Sequence, residues 1–345
     1  AEDDVAVQVT ADTAVAMSGM TIIGGESGIV VANEAREVSF DAMRLRSDGD
    51  VAFVVPPGEG ELSLTLTNIA LRGADLSRGR AELSRVTVEP YPAGADIRLR
   101  GSASLVAETV LVSRGDLVVE ESAQGEFTNL VLGDGRLAIS GPNTSVSVTE
   151  AVVVATGGDT PALSLNGGIL NLVSASIEGR GVLAVSVGGE DASLYGRDLW
   201  LSADASAMSV LEVHSGGYAS LERVDVASSG ARAVGVSGQY SELNARSLNV
   251  TANADNVNSS GREGVVVGDA GWATLTRTRL TRVGLKVSSD GSDVDATSLT
   301  VSEAPGIAID VAGGSSVSVE RGEIERAHGI GARILGLGTD FRVQD

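Results

Sequence analysis

The 345-residue chain has a formal charge of −21, only 3% aromatic residues and no cysteine. The absence of cysteine excludes disulfides and cysteine-based zinc sites, and the acidity excludes the basic stripe that nucleic-acid binding requires. Because no run of eighteen apolar residues is present, we expect no membrane insertion by this segment.

The N-terminal residues 1–11 contain Val5, Val7 and Val9 in alternation, which predicts an edge strand or a cap. The chain begins at Ala1 without a methionine or an apolar leader, as expected after removal of a signal peptide or after excision from a longer protein. Lys286 is the only lysine, which indicates a GC-rich bacterial source. Together with the acidity and the lack of cysteine, these features predict an extracellular or cell-surface protein of a bacterial envelope.

One pattern then recurs about fourteen times: apolar, any, apolar, two polar or small residues, apolar, any, apolar. Clear examples are residues 219–226, 243–250 and 294–301. The second apolar residue of each match serves as an anchor, and the anchors recur about every 23 residues. They are Met17, Phe40, Leu66, Leu83, Ala107, Phe127, Val148, Leu172, Gly196, Leu221, Ala245, Leu275, Ala296 and Val319.

A second apolar run precedes many anchors, as in residues 163–165, 211–213 and 309–311, and glycines flank many of these runs. Apolar residues at every second position predict strands with one buried face, and glycine supplies the positive φ of a sharp corner. Each repeat is therefore predicted to hold a strand, a Gly-rich turn, a short strand, a polar kink and another short strand. This predicts an all-β, right-handed parallel β-helix forming a single domain over residues 1–345, with an irregular last coil at residues 325–345.

This coil length and three-strand pattern resembles the right-handed β-helices of the pectate-lyase-like superfamily and the passenger domains of autotransporters. The resemblance covers roughly residues 12–345 and rests on the repeat architecture. It implies either binding or cleavage of acidic polysaccharides, or adhesion. The enzymes of the superfamily would need carboxylates converging on a groove, or calcium with a basic residue, and we assign no catalytic residue here.

Ring-bearing residues are concentrated in four consecutive repeats and form the candidate carbohydrate-binding set. They are Tyr195, Trp200, Tyr218, Tyr240 and Trp272. Tyr218 and Trp272 precede their anchors by equal offsets, so we expect them to stack on the same face. The polar insertion at residues 252–263, with Asn256 and Asn258, is predicted to project as a contact loop. The alternatives are that the rings shield turns and that the insertion is merely tolerated.

The densest acidic cluster contains Asp290, Asp293 and Asp295. Asp293 and Asp295 share one face of a strand, so they could present oxygen ligands to calcium, and no other cofactor is expected. The alternative is a turn rich in aspartate and glycine. His214, beside a Gly-Gly pair, is interpreted as a solvated turn residue.

The sequence thus favours a non-enzymatic, secreted or cell-surface β-helix rod with a structural or adhesive role. The expected partner is a polysaccharide or a cell-surface component. The alternative is a lyase or glycoside hydrolase acting on an acidic polysaccharide.

Overall fold

The computed structural model describes residues 5–10, 14–47, 49, 51–58, 61–89, 96–204, 209–230, 232–252 and 262–344. The protein is an all-β parallel β-solenoid of about 13 turns, with 67% of residues in strands and no helix in the described residues. The predicted fold class is confirmed, and the coil count lies close to the predicted fourteen. Among the described residues, no helix has the length and hydropathy needed to cross a membrane.

The chain divides into two compact units. Unit 1 comprises Ala1–Val154 and Gly168–Leu170, and unit 2 comprises Ala155–Gly167 and Asn171–Asp345. The strands that begin in the first segment of unit 1 are β1 (Val5–Val9), β2 (Val15–Ser18), β3 (Thr21–Ile23), β4 (Ser27–Val31), β5 (Glu37–Asp41), β6 (Arg44–Arg46), β7 (Val51–Val55), β8 (Ser63–Leu71), β9 (Ala74–Leu76), β10 (Arg80–Val88), β11 (Ile97–Leu99), β12 (Ser104–Ala107), β13 (Val110–Val112), β14 (Leu117–Val119), β15 (Gln124–Leu132), β16 (Leu137–Ser140) and β17 (Ser145–Thr156).

The strands that begin in unit 2 carry the candidate site. They are β18 (Leu163–Arg180), β19 (Val185–Ala203), β20 (Leu211–His214), β21 (Tyr218–Ser228), β22 (Arg232–Ser237), β23 (Glu242–Ala252), β24 (Glu263–Gly268), β25 (Trp272–Thr281), β26 (Gly284–Val287), β27 (Asp293–Ser302), β28 (Ile309–Ala312), β29 (Ser316–Glu320), β30 (Glu323–Glu325), β31 (Ala332–Leu335) and β32 (Asp340–Gln344).

Successive coils stack strand on equivalent strand. In unit 2, β21 pairs in parallel with β19 on one side and with β23 on the other. This register places Leu221 opposite Gly196 and Ala245, so that the anchors form an interior row. Every anchor except Met17 is buried, because apolar contact between coils is the main gain that stacking provides.

In most repeats the polar kink is formed by a single residue in the left-handed conformation. Arg223, with φ of 55°, occupies this position in β21. The kink puts two outward residues, Glu222 and Arg223, in succession between the buried Leu221 and Val224. It therefore resets the alternation, so that the strands on both sides of the corner keep their apolar residues inward. Equivalent residues are Asn68, Arg85, Asn129, Glu150, Ser174, Asp198, Ser247, Arg277, Ser298 and Arg321.

Buried hydroxyl groups close several of the Gly-rich turns. The Ser241 hydroxyl donates to the Ser237 carbonyl (2.7 Å) and accepts from the backbone N–H of Gly216 (3.0 Å) in the preceding coil. Thr144 and Ser292 make the same pair of bonds in their own turns. Each hydroxyl satisfies backbone groups that would otherwise be buried without partners, so it fixes one turn upon the next.

Candidate ligand-binding face

Two adjacent rows of outward side chains cross β19, β21, β23, β25 and β27 of unit 2. A row here means the residues that occupy equivalent positions in successive coils. The first, named the Tyr218–Trp272 row, contains Ser193, Tyr218, Glu242, Trp272 and Asp293. The second, two residues further along each strand, contains Tyr195, Ser220, Asn244, Thr274 and Asp295. Together these rows are the candidate face.

The candidate face brings together three of the aromatic residues that the sequence singles out. The rings of Tyr195 and Tyr218 have centroids 5.8 Å apart and are tilted by 55°. Trp272 shares a row with Tyr218, as expected, and is 47% exposed. The two do not belong to neighbouring coils, however, because Glu242 occupies the row position between them.

Glu242 is positioned by an amide side chain. Asn244 donates from Nδ2 to Oε1 of Glu242 at 2.7 Å, and the same nitrogen lies 3.3 Å from the hydroxyl of Tyr218. Both contacts cross between the two rows of the candidate face. The carboxylate, the amide and the phenol therefore form one hydrogen-bonded group beside the exposed indole of Trp272.

Trp200 and Tyr240 lie outside the candidate face. Trp200 follows the kink residue Asp198 in β19 and belongs to another outward row, which continues through Asp225 and Asn249. Its side chain is outward, as predicted from the alternation, and is 44% exposed. Tyr240 lies in the turn before β23 with φ of 66° and is 74% exposed. The sequence places these rings in the same region of the chain as the others. It cannot tell on which outward face each ring lies, because that depends on the left-handed kink.

The acidic cluster joins the candidate face. Asp293 is the row neighbour of Trp272, and Asp295 is the neighbour of Thr274, whereas Asp290 lies in the preceding turn. In the parts of the chain that the structure describes, no group of three or more His, Asp or Glu side chains is arranged to hold a metal ion. Calcium binding at Asp290, Asp293 and Asp295 stays a prediction. Asn256 and Asn258 lie outside the described residues.

His214 is partly exposed at the end of β20, and each of its ring nitrogens makes a hydrogen-bond contact. Nε2 lies 2.9 Å from the Ser186 hydroxyl in the preceding coil, and Nδ1 lies 3.1 Å from the Ser215 hydroxyl. Gly188 makes room for the imidazole, because a Cβ there would lie 2.4 Å from Cε1 of His214. The arrangement fixes the imidazole between two coils.

A separate sheet of unit 2 carries alternating charges. Lys286 pairs with Glu263, and the Arg333 guanidinium donates two hydrogen bonds to Asp310, at 2.9 and 2.6 Å. These bonds raise the pKa of Arg333. The pairs border a groove of about 340 Å³. Its lining includes Glu263, Gly284, Lys286, Gly306, Asp310 and Arg333. The members of each pair lie 23 residues apart, in successive coils, and the sequence does not pair them because the steps between anchors vary from 17 to 30 residues.

No protein-family model, curated protein or solved structure matches this chain.

Proposed function

We propose that this protein is a non-enzymatic, secreted or cell-surface scaffold that binds carbohydrate through the candidate face. The observation that carries the proposal is the grouping of three aromatic residues, two of them exposed, on one outward face of unit 2. Tyr195 and Tyr218 are in ring contact, and Trp272 lies in the Tyr218 row. Sugar rings stack on exposed aromatic rings, and adjacent polar groups orient their hydroxyls.

The composition adds to this proposal. Only 3% of residues are aromatic, yet the candidate face holds three of them. They are Tyr195 and Tyr218, whose rings are in contact, and Trp272, one of the two tryptophans. Exposing a large aromatic side chain to water has no benefit for a solenoid whose interior is closed by small aliphatic residues. A recognition surface accounts for the exposure.

The architecture supports the proposed location and role. A parallel β-solenoid resembles the pectate-lyase-like superfamily and autotransporter passengers, and both groups include proteins that act outside the cell. A repeated scaffold keeps outward rows in register over many coils, and so it can present an extended surface to a polymer. A polysaccharide or another cell-surface component is the partner that fits such a surface.

A second candidate function is cleavage of an acidic polysaccharide in the groove beside Lys286. The groove is lined by two carboxylates and three basic side chains, the residue types that lyases and hydrolases use. Lys286 is engaged in an ion pair with Glu263, and Arg333 in an ion pair with Asp310. The paired charges therefore favour a structural role for the groove over catalysis.

A glycan-array screen, combined with a lyase assay that follows the absorbance of unsaturated products with and without calcium, distinguishes the two functions. The proposal predicts binding without turnover. Turnover of an acidic polysaccharide, abolished by Lys286→Gln, would overturn it in favour of the groove. A screen with neither binding nor turnover would also contradict the proposed carbohydrate-binding role.

A further inference from the structure

We propose that the candidate face recognises a positively charged group, specifically the ammonium of an amino-sugar residue, between Tyr218 and Trp272. This inference rests on the proposed function and specifies the class of carbohydrate. It is carried by three features of the described residues of the face. These are the spacing of the aromatic residues, the lack of ion pairs at the carboxylates and the absence of basic residues in the two rows.

The spacing of the rings suits a cation. Tyr218 and Trp272 are separated by the single coil that holds Glu242. Two strand spacings give a separation of about 10 Å, so a group midway lies about 5 Å from each position. An ammonium is attracted to an aromatic ring within about 6 Å of its centroid. The row thus places an aromatic residue on each side of one carboxylate, each about one strand spacing away, so that an ammonium held by Glu242 can approach both rings.

Among the residues that the structure describes, no ion pair neutralises the carboxylates of the face. Among the described residues, Glu242 is held by the neutral amide of Asn244, and the other carboxylates of the two rows are Asp293 and Asp295. Several other carboxylates of unit 2 are paired with cations in neighbouring coils. Asp198, for example, accepts two hydrogen bonds from Arg223, at 2.6 and 2.8 Å, which lower the pKa of Asp198.

The two rows contain no basic residue over six stacked strands, from β19 to β29. From Ser193 to Ser316 in the first row and from Tyr195 to Ser318 in the second, every position is described and none is lysine or arginine. The three carboxylates of these rows favour a cation over a polyanionic glycan, and the nearest basic side chains, Arg197 and Arg246, belong to the next outward row. A neutral glycan would gain from the rings and from hydrogen bonds to the carboxylates, but not from the attraction between opposite charges.

The row of the other tryptophan provides an internal control. Trp200 is also next to a carboxylate, Asp225, which accepts a hydrogen bond from Asn249 at 2.9 Å. The row then continues to Asn249 and Arg279 rather than to a second ring. It therefore has an exposed indole and an amide-bound carboxylate without the flanking pair of aromatics, and its charge is offset by Arg279.

The test uses the fluorescence of Trp272 in a Trp200→Phe background, where it is the only tryptophan. The probes are glucosamine, N-acetylglucosamine and glucose oligosaccharides of equal length and linkage, which differ only in the substituent on the second ring carbon, and tetramethylammonium. We expect the glucosamine oligomer, at a pH where its amines are charged, to bind about tenfold more tightly than the other two. Glu242→Gln or Asp293→Asn should remove most of this preference, and the matched control Asp225→Asn should leave it intact.

The other outcomes separate the inference from the function on which it rests. Equal binding of all three oligosaccharides, unchanged in Glu242→Gln, would overturn the cation site and leave carbohydrate binding in place. Binding of tetramethylammonium without any oligosaccharide would support the cation site and overturn the carbohydrate function. If no probe alters the fluorescence, both proposals fail.

Discussion

The inward and outward rows of unit 2 cross the same strands but differ in the side chains that they tolerate. The inward row through Leu221, Ala245 and Leu275 contains only aliphatic residues, and all are buried. One residue before each lies the outward row, with Ser220 and Asn244 as neighbours. Stacking thus restricts the interior to a narrow set of side chains and leaves the outward positions free to diverge. A large aromatic residue on an outward row therefore indicates a function. A residue outside the aliphatic set on an inward row is instead a structural defect.

The largest expected effect comes from exchanging the two kinds of row. Leu221→Asp buries a carboxylate in the aliphatic interior and should lower the free energy of unfolding by more than about 4 kcal/mol, or prevent folding. The adjacent Ser220→Asp should change it by less than about 0.5 kcal/mol, because the side chain points outward. Urea denaturation of both variants measures the difference. Equal effects would mean that the assigned register is shifted by one residue.

A smaller effect should distinguish a residue at the left-handed kink from the outward residue that precedes it. Ser298, with φ of 59°, is a kink residue, whereas Thr297 precedes it in the same strand. Ser298→Val should cost about 1–2 kcal/mol, because β-branched residues fit the left-handed region poorly. Thr297→Val should be nearly neutral. If thermal unfolding shows the same cost for both variants, the kink does not depend on the left-handed residue.

One inward position should gain stability from substitution. Thr278 is buried in β25, and its hydroxyl has no hydrogen-bond partner in the described parts of the chain. It pairs with Leu299 of the next coil, in an aliphatic surrounding. Thr278→Val keeps the shape and removes the unsatisfied group, so we expect stabilisation by about 1 kcal/mol. Destabilisation in chemical denaturation would show that the hydroxyl has a partner in solution.

The smallest expected effect concerns a half-buried carboxylate of unit 1. Burial, together with the nearby charge of Asp96, raises the pKa of Asp116. A carboxyl group with a raised pKa in the folded state favours folding while it is protonated, and this contribution is lost as pH rises through the folded-state value. Asp116→Asn should therefore become more stable relative to the parent as pH rises from below the ordinary value of 3.8 toward neutrality. A pH series of unfolding midpoints tests the sign, and a difference that shrinks with rising pH would contradict it.

The sequence predicts the solenoid because the repeat itself encodes the packing. Anchors such as Leu221 and Leu275 recur with the same alternation, and their burial follows from that pattern. The sequence also predicts that Trp200 and Trp272 are outward. It does not place them on different faces, since that depends on the φ of kink residues such as Asp198, which no periodicity reveals.

Contacts between coils were also beyond sequence reasoning. The bond from Ser186 to His214 and the pair of Asp310 and Arg333 join residues in successive coils. The repeat length varies from 17 to 30 residues between anchors, so alignment by spacing alone does not fix which outward residues become neighbours. For the same reason, the sequence suggested that Tyr218 and Trp272 would stack but missed the carboxylate of Glu242 between them.

The most direct test of the central claim compares the two tryptophans in a single binding experiment. Trp272→Ala and Trp200→Ala each remove an exposed indole of similar accessibility, one on the candidate face and one on another outward row. With the tightest-binding glycan from the array, isothermal titration should show affinity reduced about tenfold or more by Trp272→Ala and nearly unchanged by Trp200→Ala. Equal losses, or a loss only in Trp200→Ala, would contradict the assignment of ligand binding to the face between Tyr218 and Trp272.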